Sequence, residues 1–271
     1  MLRALPGHKE RVNKVIFHPN LRQVISCSHD QMILSWGLRP NSRPNKFIGH
    51  TGPVLDVDYS ANFNLIASGS TDTTVRVWKN NASATCSLLK AHSAPVKSVH
   101  FNVDGTLLVS AGDDKLVKIW NVETLKFIKS FTHHSNWVRS AQFSLDSRIV
   151  ASGSDDKTVK LWDITHEQQI HSFHDHSGMV SCVRWHPDGT CLASCASDKK
   201  IKIFDTRSQR LLQRYDAHED GVNSIDFHQS GIYLASSSND ATVKIWDLRK
   251  GQVLFTLYGH AGATTSASFS P

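Results

Sequence analysis

The 271-residue sequence contains no run of about 18 apolar residues, so it offers no candidate for a membrane-spanning helix. Its first residues, MLRALPGHKER, lack the long apolar segment of a secretory signal. The five cysteines are odd in number, and none occurs in a Cys-x-x-Cys motif. This pattern argues against a disulfide framework and favours buried thiols in a reducing compartment. We therefore expect a protein that does not associate with a membrane.

Several motifs that would indicate chemistry are also missing. The sequence shows no Gly-rich phosphate loop, no metal-ligand spacing and no aromatic–basic nucleic-acid motif. We therefore expect no cofactor, no metal, no nucleic acid and no small-molecule substrate. The net charge is +6 and the pI is about 9.1. This excess of positive charge favours encounters with acidic partners such as tubulin surfaces, nucleic acid or acidic peptides, without identifying one of them.

A strict 42-residue repeat runs through the sequence, and its clearest copy is LIASGSTDTTVRVW, from Leu65 to Trp78. Four residue types keep the period: a His, a Ser, an Asp four residues after the Ser, and an aromatic six residues after the Asp. The Asp residues are Asp30, Asp72, Asp114, Asp156, Asp198 and Asp240. An internal period of about 40–45 residues with a Gly-His start and a Trp-Asp end predicts a β-propeller in which each repeat forms four strands.

The repeats resemble those of the WD-repeat family over the whole chain. The resemblance implies that each set forms a hydrogen-bonded ladder. In it the Asp carboxylate accepts from the His ring, the His ring bonds to the Ser hydroxyl, and the Ser oxygen accepts from the indole N–H of Trp. The clearest ladder residues are His50, Ser68, Asp72, Trp78, His134, Ser152, Asp156 and Trp162. Ser, His and Asp also form hydrolase triads, but a triad occurs once per active site and this set occurs six times. We therefore predict that the protein is not an enzyme.

The ends of the sequence bear on how the ring closes. His260 opens a seventh copy, HAGATTSASFSP, which stops at Pro271 before its Ser, Asp and aromatic. Residues 1–5 lie in the register of a fourth strand. We therefore predict an all-β, seven-bladed WD-repeat propeller that spans residues 1–271 as a single domain, with six full repeats. The seventh blade, from about residue 259, would be incomplete in this fragment, and residues 1–5 would supply its closing outer strand.

Positions three and five after the repeat His, together with the residue before the repeat Asp, lie near the rim of one ring face in WD-repeat proteins. Trp137 is the one Trp at these positions without a core role in the pattern. Exposed Trp, Met and Arg are typical of interface hot spots. The alternative is that Trp137 only covers neighbouring loops. We predict a partner-binding patch that comprises Trp137, Arg139, Met179, Lys97, Arg11 and Leu55.

A basic residue recurs two positions before the aromatic, at Arg76, Lys118, Lys160, Lys202 and Lys244. The series could form a ring of charge for an acidic polymer. We favour the other interpretation, in which each stem packs on a strand and each head group reaches water.

Four stretches resemble a narrower family, the proteome-of-centriole WD-repeat proteins: HSNWVRSAQFS (134–144), SDDKTVKLWD (154–163), RLLQRYDAH (210–218) and LFTLYGHAGATTSASFS (254–270). The resemblance implies a cytoplasmic, cytoskeletal scaffold in the wall of centrioles and basal bodies. Such a scaffold associates with microtubule triplets and other centriolar proteins, stabilises the triplets, and acts in centriole assembly and ciliogenesis. The alternative is a peptide-reading adaptor, such as a ubiquitin-ligase substrate receptor or a chromatin-complex subunit. The sequence leaves open which tubulin surface is bound, and whether a face or an edge of the ring binds it.

Overall fold

The computed structural model describes residues 5–39, 42–81 and 85–271. In these ranges the chain folds into 24 strands, arranged as six four-stranded antiparallel sheets. The first three sheets comprise β1 (Val12–Phe17), β2 (Gln23–Ser28), β3 (Met32–Gly37) and β4 (Asn45–Ile48); β5 (Val54–Ser60), β6 (Leu65–Ser70), β7 (Val75–Lys79) and β8 (Cys86–Leu89); and β9 (Val96–Phe101), β10 (Leu107–Gly112), β11 (Val117–Asn121) and β12 (Phe127–Phe131). The last three comprise β13 (Val138–Phe143), β14 (Ile149–Ser154), β15 (Val159–Asp163) and β16 (Gln168–Phe173); β17 (Val180–Trp185), β18 (Cys191–Ala196), β19 (Lys200–Asp205) and β20 (Arg210–Asp216); and β21 (Val222–Phe227), β22 (Tyr233–Ser238), β23 (Val243–Asp247) and β24 (Gln252–Leu257).

Each sheet is a meander, because its four strands pair in chain order. The second strand of each sheet carries small side chains and is almost fully buried, as in LIASGS of β6. Small residues are needed there because the next sheet packs directly on this strand. A Cβ added to Gly69 would lie 2.8 Å from Val96 Cγ1, and one added to Gly153 would lie 2.6 Å from Val180 Cγ1. The glycines therefore permit close sheet-to-sheet packing.

Hydrogen bonds join the innermost strands of neighbouring sheets. The Asp58 carboxylate accepts from the backbone N–H of Phe101 at 2.7 Å, and the Gln142 amide oxygen accepts from that of Trp185 at 3.0 Å. Apolar clusters fill the space between sheets; one of them combines Val75 of the second sheet with Val99 of the third. The six sheets therefore surround a central channel, as the blades of a propeller do.

The prediction of seven blades is wrong, because the structure has six. Within the described residues no strand follows Leu257, so the copy that His260 opens forms no sheet. The segment 258–271 instead lies between the sixth and first sheets. The Asp226 carboxylate accepts a hydrogen bond from the backbone N–H of Phe269 in this segment at 2.9 Å, and Thr265 Oγ1 donates to the Val12 carbonyl at 2.8 Å. These two hydrogen bonds tie the segment to the existing sixth and first blades.

The predicted closing strand at residues 1–5 lies mostly on residues 1–4, which are outside the described residues. Leu5 is not in a strand, and it packs against the buried cluster that contains Trp36.

Candidate functional site

The repeat residues His, Ser, Asp and Trp lie in contact within each blade that carries all four. In the fourth blade, His134 Nδ1 is 2.7 Å from Asp156 Oδ2, and His134 Nε2 is 2.7 Å from Ser152 Oγ. Trp162 Nε1 donates to the same Ser152 oxygen at 2.7 Å. The second blade repeats these contacts at 2.8, 2.8 and 2.9 Å with the residues His50, Asp72, Ser68 and Trp78.

The protonation states of the ladder follow from burial and hydrogen bonding. Burial lowers the pKa of His50 and of His134, so both imidazoles are neutral near pH 7. Burial opposes ionisation of Asp72, but hydrogen bonds from Thr74 and His50 outweigh it and lower the pKa of this carboxyl to about 2. A neutral His therefore donates a hydrogen bond from Nδ1 to a carboxylate, and its Nε2 accepts a hydrogen bond from the Ser hydroxyl.

This arrangement has a chemical consequence for the serine. The Ser68 and Ser152 side chains are completely buried, and each oxygen lies between an imidazole and an indole. A hydrolytic nucleophile must reach a carbonyl carbon, and a hydroxyl enclosed in this way cannot. The geometry of these sets is that of a structural hydrogen-bond network.

The fifth blade replaces the ladder Trp with Phe204. Its Ser194 is 2.7 Å from His176 Nε2, but Phe204 has no N–H to donate. Phe204 is completely buried, and its ring centroid lies 4.3 Å from that of Phe173. Apolar packing therefore takes the place of one hydrogen bond in this blade.

One end of the central channel opens into a cavity of about 410 Å³, which we call the channel mouth. Five of the six predicted partner-binding residues line it: Arg11, Leu55, Lys97, Arg139 and Met179. Each comes from a different one of the first five repeats. The ring therefore brings together residues that lie about 40 positions apart in the sequence. Met179 is 46% exposed at the rim, and its apolar side chain is accessible to a partner.

Trp137, the sixth predicted residue, lies beside the channel mouth and is 44% exposed. The Arg139 guanidinium carbon lies 5.2 Å from the centroid of the Trp137 ring, in a cation–π contact. Arg139 also donates two hydrogen bonds to the Asp155 carboxylate, at 2.8 and 2.7 Å. The indole thus rests on a cation whose position is fixed by a two-point ion pair.

The sequence placed Asp113 and Asp155 at the rim, because each precedes a repeat Asp, but it missed their ion pairs with Lys97 and Arg139. Lys97 Nζ is 3.4 Å from Asp113 Oδ2, in the same relation as Arg139 to Asp155. The hydrogen bond and charge of Asp155 raise the pKa of Arg139, and the Asp113 charge adds to the effect. The signal was present in the sequence, because each pair is 16 residues apart in successive repeats.

The basic series on the third strands lies away from the mouth. Lys118 Nζ donates to the Ala91 carbonyl at 2.6 Å, and Lys244 Nζ donates to the Ala217 carbonyl at 2.9 Å. Lys160 Nζ bonds the side chain of Gln169 at 2.9 Å. These ammonium groups bond to protein acceptors, and Lys160 and Lys202 are buried. The expectation that each head group reaches water is therefore wrong for these residues, because backbone carbonyls and a side-chain amide take the place of water.

The walls of the channel carry charged residues that the repeat pattern did not single out. Lys14 forms an ion pair with Asp56, and Arg184 lies 3.8 Å from Asp226. Burial lowers the pKa of the nearby His100 to about 3, so this imidazole is neutral. In the described part of the chain, no group of three or more His, Cys, Asp or Glu side chains is placed to hold a metal ion. Nor does any described segment form a helix of the length and hydropathy needed to span a bilayer.

Comparison with known proteins agrees with this architecture. A search of curated protein sequences returns no significant match. The model of the family described as "WD domain, G-beta repeat" matches six segments, residues 1–37, 42–79, 84–121, 125–163, 167–205 and 209–247. Six matched repeats correspond to the six sheets, and they cover most of the sequence. The chain therefore belongs to the WD-repeat family of the G-beta type.

Proposed function

We propose that this protein is a non-catalytic scaffold that binds a protein partner at the channel mouth. Domains of the WD-repeat family mediate protein–protein interactions, and they are generally not catalytic. The observation that carries the proposal is the exposed Trp137 ring held over the fixed Arg139 side chain. A rigid aromatic next to a flexible Met179 is the composition of an interface hot spot. The partner would insert an apolar group at this point.

The finer proposal is that the partner is the microtubule wall of centrioles and basal bodies. Its support is the resemblance of residues 134–144, 210–218 and 254–270 to the proteome-of-centriole proteins, together with the net charge of +6. Tubulin is acidic at its surface, so a basic ring would meet it faster than a neutral one. On this proposal the protein resides in the cytoplasm on the centriolar cytoskeleton, stabilises triplets, and acts in centriole assembly and ciliogenesis.

Microtubule co-sedimentation of the wild type and of Trp137→Ala tests both the proposed binding site at the channel mouth and the proposed microtubule partner. Truncation of a hot-spot residue costs about 2 kcal/mol or more, so we expect binding of Trp137→Ala to weaken by about 30-fold. The matched control is Phe63→Ala. Phe63 is an aromatic of similar exposure, 41%, in the turn between β5 and β6, at the opposite end of the strands. It should bind like the wild type.

The possible outcomes distinguish failure of the microtubule proposal from failure of the channel-mouth site. If the wild type does not sediment with microtubules at low salt, the microtubule proposal is wrong. If it sediments and Trp137→Ala sediments equally well, the mouth is not the binding site. Recruitment of Trp137→Ala to centrioles in ciliated cells gives the corresponding test in vivo, with circular dichroism as the control for folding.

A second function, a peptide-reading adaptor, is favoured by the cavity itself. The channel mouth has room for one or two side chains in its volume of about 410 Å³, and polar groups such as Ser181 and Asn223 line it beside Leu55. A peptide reader would hold one short segment there, whereas a lattice binder would use several separated contacts. A short acidic peptide that competes fully with the partner would favour the adaptor, and competition only by polymer would favour the scaffold.

A further inference from the structure

Two cysteines lie directly opposite each other in the fifth blade. Cys182 on β17 is the register partner of Cys195 on β18, and both thiols are free. Directly opposed residues of antiparallel strands have Cα atoms about 4.5–5.5 Å apart and point to the same face of the sheet. This spacing falls in the range of about 4.4–6.8 Å that a disulfide requires. The two sulfur atoms can therefore be joined without separating the strands.

The two thiols differ in access. Cys182 is 6% exposed and lines a channel cavity of about 100 Å³, whereas Cys195 is completely buried behind it. Arg139, Ser181 and several other residues line both this cavity and the channel mouth, so the two spaces are continuous. A small polar molecule that enters the mouth would therefore meet Cys182 before Cys195.

The surroundings also assign the protons. A hydrogen bond from Cys195 lowers the pKa of Cys182 against the effect of burial, and the Arg184 charge adds to this lowering. Burial raises the pKa of Cys195, and the hydrogen bond to Cys182 raises it further. Cys182 is therefore the more acidic thiol of the two.

We propose that Cys182 and Cys195 form an oxidation site at which a hydroperoxide closes a cross-strand disulfide in the channel wall. The Cys182 thiolate attacks one peroxide oxygen; the O–O bond breaks, and a sulfenic acid and hydroxide form. The Cys195 sulfur then attacks the Cys182 sulfur, the S–O bond breaks, and the Cys195 proton leaves with the hydroxyl as water. The hydroxide of the first step takes up the proton that the Cys182 thiol released on ionising. In total, two thiols lose two electrons, and one hydrogen peroxide becomes two waters.

The first blade contains a matched control. Cys27 occupies the repeat position of Cys195 and is likewise completely buried, but its register partner is Lys14. Burial raises the pKa of Cys27, and no thiol lies opposite it. Cys27 should therefore remain reduced under conditions that oxidise the pair.

The test treats the native chain with hydrogen peroxide, alkylates the remaining thiols after unfolding, and analyses the tryptic peptides. Trypsin cleaves after Arg184, so Cys182 and Cys195 leave in different peptides. We expect these two peptides to be linked and Cys27 to be alkylated. Because Cys191 shares the peptide of Cys195, Cys191→Ser serves as the background that makes the link unambiguous.

Two single variants test the order of steps. Cys195→Ser should stop at a Cys182 sulfenic acid that dimedone traps, and Cys182→Ser should leave Cys195 unmodified. At pH 7 an ordinary thiol is only a few per cent thiolate, so Cys182 should react with iodoacetamide at least about tenfold faster than Cys27. The proposal is overturned if peroxide leaves both peptides unlinked in the native chain. Equal oxidation of Cys27 and Cys195 would overturn it as well.

Discussion

Replacement of Trp162 by Ala should cause one of the largest losses of stability available to a single substitution in this chain. The indole is completely buried, its ring centroid lies 4.9 Å from that of Phe131 in a stacked pair, and its N–H donates to Ser152. Truncation of a buried aromatic to Ala costs about 3–5 kcal/mol. Ser152 also loses a donor, which places the expected loss toward the upper end of that range.

Trp162→Phe separates the two contributions. It keeps most of the ring and removes the N–H, so we expect a loss of about 1–2 kcal/mol. Urea unfolding followed by circular dichroism measures both variants, and each kcal/mol should lower Tm by about 2–4 °C. Trp137→Ala, at an exposed position, should stay within about 0.5 kcal/mol of the wild type. Unfolding of Trp162→Ala at the wild-type midpoint would refute the assignment of this residue to a structural ladder.

Two further outcomes are expected. Acidification should lower Tm in two stages. The pKa of His50 in the folded state lies below its ordinary value of 6.5, so stability is lost as the pH falls below 6.5. The pKa of Asp72 is about 2 in the folded state and 3.8 ordinarily, so the stability that this carboxylate contributes is lost between about pH 4 and pH 2. A Tm that does not change between pH 7 and pH 3 would contradict this reasoning. Phe204→Trp should destabilise the fifth blade by about 1–3 kcal/mol, because the Phe173 ring already lies 4.3 Å from the Phe204 ring and a larger ring would overpack the site. Equal denaturant midpoints for this variant and the wild type would disprove the prediction.

The strands could be predicted from the sequence because the same pattern is present six times. A single segment such as Leu65–Ser70 is ambiguous, since small apolar residues also occur in helices. Its recurrence at a constant step removes the ambiguity, because only a repeated four-strand unit explains the fixed positions of His, Ser, Asp and aromatic. The second blade accordingly has the four strands that the repeat predicts.

The number of blades could not be obtained in the same way. His260 alone continued the period, and one matching residue does not show that a sheet forms. Whether the segment 258–271 joins a new sheet depends on which groups accept its N–H donors. Two of those acceptors are the Asp226 carboxylate and the Ser238 carbonyl, both in the sixth blade. The opposition of Cys182 and Cys195 was equally hidden, because it depends on a β-bulge between Val180 and Cys182 that shifts the register.

The ion pairs at the channel mouth change the expected balance of forces in partner binding. The sequence suggested that the excess of positive charge attracts acidic partners, but Lys97 and Arg139 each already face a carboxylate, Asp113 or Asp155. Their positive charge is therefore largely balanced at short range, and the attraction of the whole ring acts mainly on the rate of encounter. On the proposed function, we expect the lasting affinity to come from the apolar ring of Trp137. Arg139→Glu would place two carboxylates together and disturb the face, so Trp137→Ala is the cleaner test of this site. If Trp137 dominates, salt should slow association strongly while it changes dissociation little.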